Sequence, residues 1–122
     1  MVADAPRPVE WIGSTRADLG SFPEAVRGVV GYALYQAQIG LKHRDVKSLR
    51  GFGGNVLEVV SRHHGDAFRA VYTVRFRAAV YVLHAFQKKA KRGTATPKPD
   101  INLIRRRLRA AERHYRENYG GG

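Results

Sequence analysis

The chain has 122 residues, of which 43% are hydrophobic, and its 22 lysines and arginines outnumber its 10 aspartates and glutamates, for a net charge of +12. This length allows one domain with one hydrophobic core, and the hydrophobic content excludes a wholly disordered chain. The lack of cysteine excludes disulfides and thiolate metal sites, and no apolar run approaches the roughly 20 residues of a membrane span.

The amino-terminal part is predicted to form a lead-in, a strand and a helical turn. Residues 1–8 are rich in proline and are predicted to be disordered. They lack the basic and then apolar layout of a signal peptide, so a cytoplasmic location is expected. Residues 9–12 form a strand candidate closed by Gly13, and Ser14 is placed to cap a short helical turn through Leu19.

The first long element is predicted to be a helix over 22–39. Ser21 at the N-cap and Glu24 three residues later match a capping box. Gly40 can supply the left-handed residue that ends the helix. Apolar side chains at helical spacing indicate one face that seeks a core; they are Phe22, Val26, Val29, Val30, Ala33, Leu34 and Ala37.

Three strands are predicted to follow a basic, glycine-containing loop at 41–55. The strands cover 56–62, 67–76 and 79–88, and Gly65-Asp66 between the first two is a turn signal. Such short links predict an antiparallel meander.

The last element is predicted to be a helix over 100–116, with Thr96 as its N-cap and Pro97 at its first position. Its apolar stripe consists of Ile101, Ile104, Leu108, Ala111 and Tyr115. Residues 118–122 are predicted to be a disordered tail, which leaves a single domain over 9–117. The order of elements predicts an α+β fold whose helices pack against one face of an antiparallel sheet.

The central strand separates into two faces. Phe68, Ala70 and Tyr72 alternate as core residues, whereas Arg69 points the other way. A buried unpaired arginine is very costly, so the Arg69 face is expected to be open to water or a ligand. Neighbouring strand ends add further basic and aromatic side chains to that face, namely Arg62, His84, Phe86 and Lys88.

Basic side chains interleaved with an aromatic ring suit single-stranded RNA, which offers phosphates and stackable bases. The charge distribution agrees, because residues 41–95 hold twelve basic and three acidic side chains, a net +9. A field of this kind favours a polyanionic partner. A solvated basic surface is the alternative.

Other chemistry is less well supported. None of the five histidines pairs with a carboxylate at a recognised ligand spacing, so no metal site is predicted. Two roles are open for Glu58: it is either a general base or a strand residue paired with an arginine. Lys42, Arg44 and Lys47 are either a solvated loop or RNA contacts.

Five segments in this order resemble the RelE/HigB toxin superfamily, and the phage-derived, HigB-like branch in particular. They are 47–51 (KSLRG), 56–60 (VLEVV), 68–72 (FRAVY), 80–89 (VYVLHAFQKK) and Thr96-Pro97. The resemblance covers about residues 9–117.

The resemblance implies a RelE-like fold and a toxin of a type II toxin–antitoxin system. Members are endoribonucleases that cut mRNA in the ribosomal A site and so inhibit translation, without metal or cofactor. The 2′-hydroxyl of the RNA attacks the adjacent phosphate. The implied partners are mRNA, the ribosome and a helix-turn-helix antitoxin that binds the toxin in a hetero-oligomer.

The resemblance also implies residue roles. Arg69 corresponds to the arginine that holds the scissile phosphate, Lys88 or Lys89 to an acid or base, and His84 and Phe86 to a proton carrier and a stacking surface. The basic residues expected to grip the RNA are Lys47, Arg50, Arg62, Lys91 and Arg92. A late tyrosine or Asp-Tyr-His cluster found in some relatives has no match, which leaves the acid and base unassigned. The rival functions are a non-catalytic RNA- or DNA-binding module and a phage-derived interaction protein.

Overall fold

The structure is a computed structural model that describes residues 5–88 and 95–120. Its elements are, in chain order, β1 (Val9–Trp11), α1 (Thr15–Gly20), α2 (Glu24–Gln38), β2 (Val46–Ser48), β3 (Val56–His63), β4 (Asp66–Thr73), β5 (Val80–Lys88) and α3 (Lys98–Tyr119). None of these helices is long and apolar enough to span a bilayer. The α+β class predicted from the sequence is confirmed, with a five-stranded sheet and three helices.

The sheet has the strand order β1-β5-β4-β3-β2. The predicted antiparallel meander is present as β3, β4 and β5, and β1 joins its far edge parallel to β5. The opposite edge is β2, which pairs antiparallel with β3 and was predicted to be loop. Only Val46 of this three-residue strand is buried, so the sequence there shows almost no alternation of apolar and polar residues.

Helices cover both faces of the sheet, and the expectation of one covered face is wrong. One core joins α2 to side chains such as Phe68 and Tyr72. A second core joins α3 to the opposite face, where Ile104 packs with Val71 and Tyr81. The second face is covered because α3 has an apolar stripe, and these side chains are buried only if the helix packs against the sheet.

The predicted core residues fall into two groups. Phe68, Tyr72, Leu34 and Ile104 are buried, as expected. Val74 and Leu108 were expected to be buried and are half-buried at the margins of the two cores.

A register shift in β5 changes which side chains share a face. Tyr72 pairs with Val82, but the preceding Val71 pairs with His84, so Leu83 is an additional residue in β5. Such a bulge interrupts the alternation of side chains. A regular strand would place Tyr81, Leu83 and Ala85 on one face, but Tyr81 and Leu83 pack in the core under α3 whereas Ala85 packs in the α2 core.

The three predicted side-chain caps make no capping bond; at the start of α1 the Ser14 hydroxyl donates instead to the Asp18 carboxylate. Helix α2 begins after Pro23, and the Ser21 hydroxyl donates instead to the Asp18 carbonyl at the end of α1. Helix α3 begins after Pro97, and the Thr96 hydroxyl donates to a carboxylate on β3. Gly40 does adopt the predicted left-handed conformation, with φ of 83°.

The chain ends differ in part from the predicted lead-in and tail. The Arg7 guanidinium donates to the Ala37 and Phe76 carbonyls, which fixes that residue to α2 and to the loop after β4. Helix α3 continues through Tyr119 and ends at Gly120, whose φ is 79°. Predictions for residues 1–4, 89–94 and 121–122 lie outside the described residues.

Candidate nucleic-acid interface

Arg69 lies in the middle of β4 on the face that α3 covers, and it is only 3% exposed. The expectation of an open face at Arg69 is therefore wrong. Its Nη1 donates to Glu58 Oε1 over 3.1 Å, and both side chains are largely withdrawn from water. This ion pair offsets the cost of burying the guanidinium. The alternation of side chains along β4 does not by itself indicate such a partner on another strand.

The ion pair leaves part of the guanidinium unused. Arg69 Nε is buried and has no hydrogen-bond partner among the described residues. A buried donor without an acceptor costs free energy, and an anion that reaches it removes that cost. Arg69 also lines a surface cleft, so an acceptor from outside has a route toward it.

The first cleft has a volume of about 440 Å³ and lies over β2, β3 and β4. Its lining residues are Arg44, Asp45, Lys47, Glu58, Val60, Arg62 and Arg69. Four of these seven side chains are basic and two are acidic, so the cleft has a positive balance that suits phosphates.

The second cleft adjoins the first and has a volume of about 640 Å³. Its lining residues are Lys47, Ser48, Leu49, Arg50, Glu58, Ala95, Thr96 and Ile101. Lys47 and Glu58 line both clefts and face each other across β2 and β3. The two clefts therefore form one groove, with Glu58 at their junction.

Glu58 is fixed from two sides. Its Oε1 accepts from Arg69, and its Oε2 accepts from the Thr96 hydroxyl over 3.0 Å. The carboxylate is thus oriented before any ligand binds, which is the arrangement expected of a catalytic acid or base. The same two bonds also fit the alternative that Glu58 only pairs with an arginine.

His84 forms a hydrogen bond with the first turn of α3. Its Nε2 lies 2.7 Å from Asp100 Oδ1, and its ring stacks on Phe86 with centroids 4.3 Å apart. His84 is buried, and its Nδ1 has no hydrogen-bond partner among the described residues.

Lys88 is also buried, and its Nζ donates to the Ala95 carbonyl. The bulge in β5 places His84 and Lys88 on the same face of the sheet as Arg69, because Phe86, which lies between them, pairs with Arg69. Neither His84 nor Lys88 is among the residues that line the two clefts.

The structure thus brings together four of the predicted site residues along the groove: Lys47, Arg50, Arg62 and Arg69. Lys89, Lys91 and Arg92 lie outside the described residues. Of the two roles that the sequence allowed for Glu58, the structure shows the pairing with an arginine, and its bond to Thr96 was not predicted. One signal was available, because Glu58 is the only acidic residue between Asp45 and Asp66.

No group of three or more histidines, aspartates or glutamates within 5–88 and 95–120 is arranged to hold a metal ion. The chemistry that the groove lining offers is that of several cations and two carboxylates, Asp45 and Glu58.

Comparison with known families gives one match. Residues 17–109, more than half of the chain, match the family described as Phage derived protein Gp49-like (DUF891). A search of the curated proteins finds no match. The matched segment includes the strands and the loop that line both clefts, with Arg69, Glu58 and Lys47.

Proposed function

Because the chain belongs to the Gp49-like family of phage-derived proteins, a family of RelE/HigB-like toxins, we propose that it is a type II toxin of the HigB branch. In this proposal it inhibits translation as a metal-independent endoribonuclease that cuts ribosome-bound mRNA. The observation that carries the proposal is the buried Arg69, which lines a basic cleft and whose Nε has no hydrogen-bond partner in the part of the chain that the structure describes.

The groove suits a single strand of RNA. Lys47, Arg50 and Arg62 are exposed along its walls and can each neutralise a phosphate. An extended strand that follows the groove passes Glu58 at the junction of the clefts. The same passage brings its phosphates toward Arg69.

Arg69 is assigned to the scissile phosphate. Its Nη1 stays with Glu58, and its Nε is left for a phosphate oxygen. A fixed guanidinium stabilises the extra negative charge of the phosphorane without reorganisation during the reaction.

Glu58 is assigned as general base. The 2′-hydroxyl oxygen forms a bond to the adjacent phosphorus while its proton passes to a Glu58 carboxylate oxygen. The bond from phosphorus to the 5′-oxygen then breaks, and that oxygen takes up a proton. The products are a 2′,3′-cyclic phosphate and a 5′-hydroxyl.

His84, Phe86 and Lys88 are proposed to act from behind the groove. Lys88 holds Ala95, which lines the second cleft, and is assigned a positioning role. His84 is joined to the first turn of α3 through Asp100; because it lines neither cleft, it is assigned a positioning role in place of the proton-carrier role that the resemblance implies, and the 5′-oxygen takes its proton from water. Phe86 supports the His84 ring.

The proposed partners follow from the charge of the groove. A ribosome-bound mRNA is the substrate, and a helix-turn-helix antitoxin is the inhibitor. The antitoxin would cover the groove with an acidic or apolar segment in a toxin–antitoxin complex. Translating ribosomes place the activity in the cytoplasm.

The test compares wild type, Arg69→Lys and Arg77→Lys on mRNA with and without ribosomes. Lysine keeps a positive charge beside Glu58 but removes Nε, so cleavage should fall by about 10²- to 10³-fold. Arg77 is exposed in the loop between β4 and β5 and outside both clefts, so its variant should cut normally.

The cut ends should carry a cyclic or 3′-phosphate, and wild-type expression alone should arrest bacterial growth. RNA that is bound but stays intact with and without ribosomes would identify a non-catalytic binding module instead. Equal cleavage by all three chains would remove Arg69 from the site.

A further inference from the structure

A third cleft lies on the outer side of α2 and has a volume of about 400 Å³. Its lining residues are Tyr32, Gln36, Lys42, His43 and Arg44. Tyr32 is 56% exposed, more than any other large hydrophobic side chain among the described residues. We call this cleft the tyrosine cleft; the proposed catalytic step uses none of its features.

The Tyr32 ring is held by the loop before β2. It packs edge to face on His43, with ring centroids 5.7 Å apart and an interplanar angle of 84°. His43 is fixed in turn, because its Nδ1 accepts from the Asp45 backbone N–H over 3.0 Å. An exposed ring that is braced in this way loses little freedom when a flat ligand stacks on it.

Gln36 supplies an unused polar atom. It lines the tyrosine cleft one helical turn after Tyr32, and its Oε1 is buried without a hydrogen-bond partner among the described residues. A buried acceptor of this kind is stabilised by a ligand N–H. Nucleobases present such groups on their Watson–Crick edges.

The tyrosine cleft continues the groove. Arg44 lines both this cleft and the first cleft, and Lys42 adds a second cation beside Tyr32. A strand that leaves the first cleft along Arg44 therefore meets the tyrosine cleft next, around the short edge strand β2.

From this combination we infer that the tyrosine cleft is a subsite for one unpaired nucleobase of the bound RNA, remote from the scissile phosphate. The base stacks on Tyr32, Gln36 accepts one of its N–H groups, and Lys42 and Arg44 contact the flanking phosphates. The inference rests on the proposed function, because it takes the occupant to be the same RNA strand. A peptide occupant is less suitable, since the described residues that line the cleft include no aliphatic side chain and, apart from the Tyr32 ring, only polar or basic ones.

The test measures binding rather than cleavage. The probes are fluorescent 3-nucleotide and 10-nucleotide single-stranded RNAs with 2′-O-methyl groups, which cannot be cut. The chains are wild type, Tyr32→Ala, Tyr32→Phe and Tyr35→Ala. Tyr35 is a matched control, since it is 48% exposed on the same helix and does not line the tyrosine cleft.

Tyr32→Ala should weaken binding of the longer probe by about 5- to 150-fold, the usual loss for one stacked base. It should change binding of the shorter probe by less than about twofold, because that probe is held at the scissile phosphate. Tyr32→Phe and Tyr35→Ala should both bind the longer probe within about twofold of wild type.

An unchanged affinity of Tyr32→Ala for the longer probe overturns the inference, as does an equal loss in Tyr35→Ala. Loss of antitoxin binding with intact RNA affinity would also overturn it and mark a protein-docking surface. If Tyr32→Ala unfolds, Tyr32→Leu replaces it, because leucine fills the space without a ring. Wild type that binds both probes yet never cuts unmodified RNA refutes the proposed function and leaves the subsite result to stand on its own.

Discussion

Arg69 and Glu58 form a diagonal pair across the antiparallel strands β4 and β3. The register places Glu58 opposite Val71 and Arg69 opposite Val60, yet Arg69 Nη1 reaches Glu58 Oε1 at 3.1 Å. Diagonal neighbours on one face of a sheet lie within reach of long side chains. A charged side chain in the middle of a covered sheet thereby has a partner two residues away from its own cross-strand position.

The first prediction concerns the stability of this pair. Glu58→Ala leaves the Arg69 charge buried and unpaired, so the free energy of unfolding should fall by about 3–5 kcal/mol. Glu58→Gln keeps an acceptor and should cost less. Urea unfolding of both variants measures the difference, and the double variant Glu58→Ala with Arg69→Ala should be less destabilised than the sum of the single changes. Additive losses would show that the two side chains do not interact.

The second prediction compares alanine substitutions at two glycines. Gly13 has φ of 61°, and a Cβ there would lie 3.0 Å from the Arg107 guanidinium, which donates to the Leu83 carbonyl. Gly13→Ala should therefore lower stability by about 1–2 kcal/mol. Gly28→Ala in the exposed middle of α2 meets nothing within 4 Å and should raise stability by about 0.5–1 kcal/mol. Thermal unfolding measures both, and a shared sign would contradict the prediction.

The third prediction concerns alkaline pH. The hydrogen bond that Tyr119 donates to Glu10, followed by burial, raises the pKa of Tyr119 to about 12. Burial raises the pKa of Tyr72 to about 12 as well. A phenol with a raised pKa in the folded state stabilises the fold fully below the unfolded value near 10, and this contribution is lost as the pH rises toward 12.

Stability to urea should therefore decline between about pH 10 and 12. Tyr119→Phe should be less stable at neutral pH but should show a smaller decline over that interval. Tyrosinate absorbance followed against pH reports the ionisations directly. A decline of the same size in Tyr119→Phe would show that its phenol does not contribute.

The fourth prediction concerns salt. If Lys47, Arg50 and Arg62 each contact a phosphate, changing any one to glutamine should reduce the slope of log Kd against log salt concentration by about 0.7. Arg27 is exposed on α2 away from the three clefts, so Arg27→Gln removes the same charge without a contact. Binding titrations over a range of salt concentrations decide the matter. Equal slopes for the groove variants and Arg27→Gln would indicate that only net charge matters.

The long helices were predictable because their apolar periodicity is strong and agrees with their burial. Their first turns were less so, since Ser21 and Thr96 both had the residue type of a cap and bonded elsewhere. A hydroxyl before a helix has several acceptors within reach, and tertiary contacts decide among them. The short strand β2 was missed for a related reason, because an exposed edge strand leaves little hydrophobic pattern.

The basic residues of the groove were predictable because charge is visible in the sequence. The burial of Arg69 was not, since it depends on Glu58 in another strand and on α3 covering the face. A lone buried arginine is too costly, but Arg69 is not alone, because Glu58 lies eleven residues earlier in the chain and accepts its hydrogen bond.

The additional residue in β5 has a consequence for how such chains diverge. Deleting Leu83 would remove the additional residue while Val82 stays opposite Tyr72 and His84 stays opposite Val71, so Phe86 and Lys88 would remain in the α3 layer. The strand could thus lose one codon here without moving its end across the sheet, although the core under α3 would lose a leucine. Related chains should therefore vary in length at this position more readily than elsewhere in β5, and a chain without the residue should carry a larger side chain on α3 to fill the space.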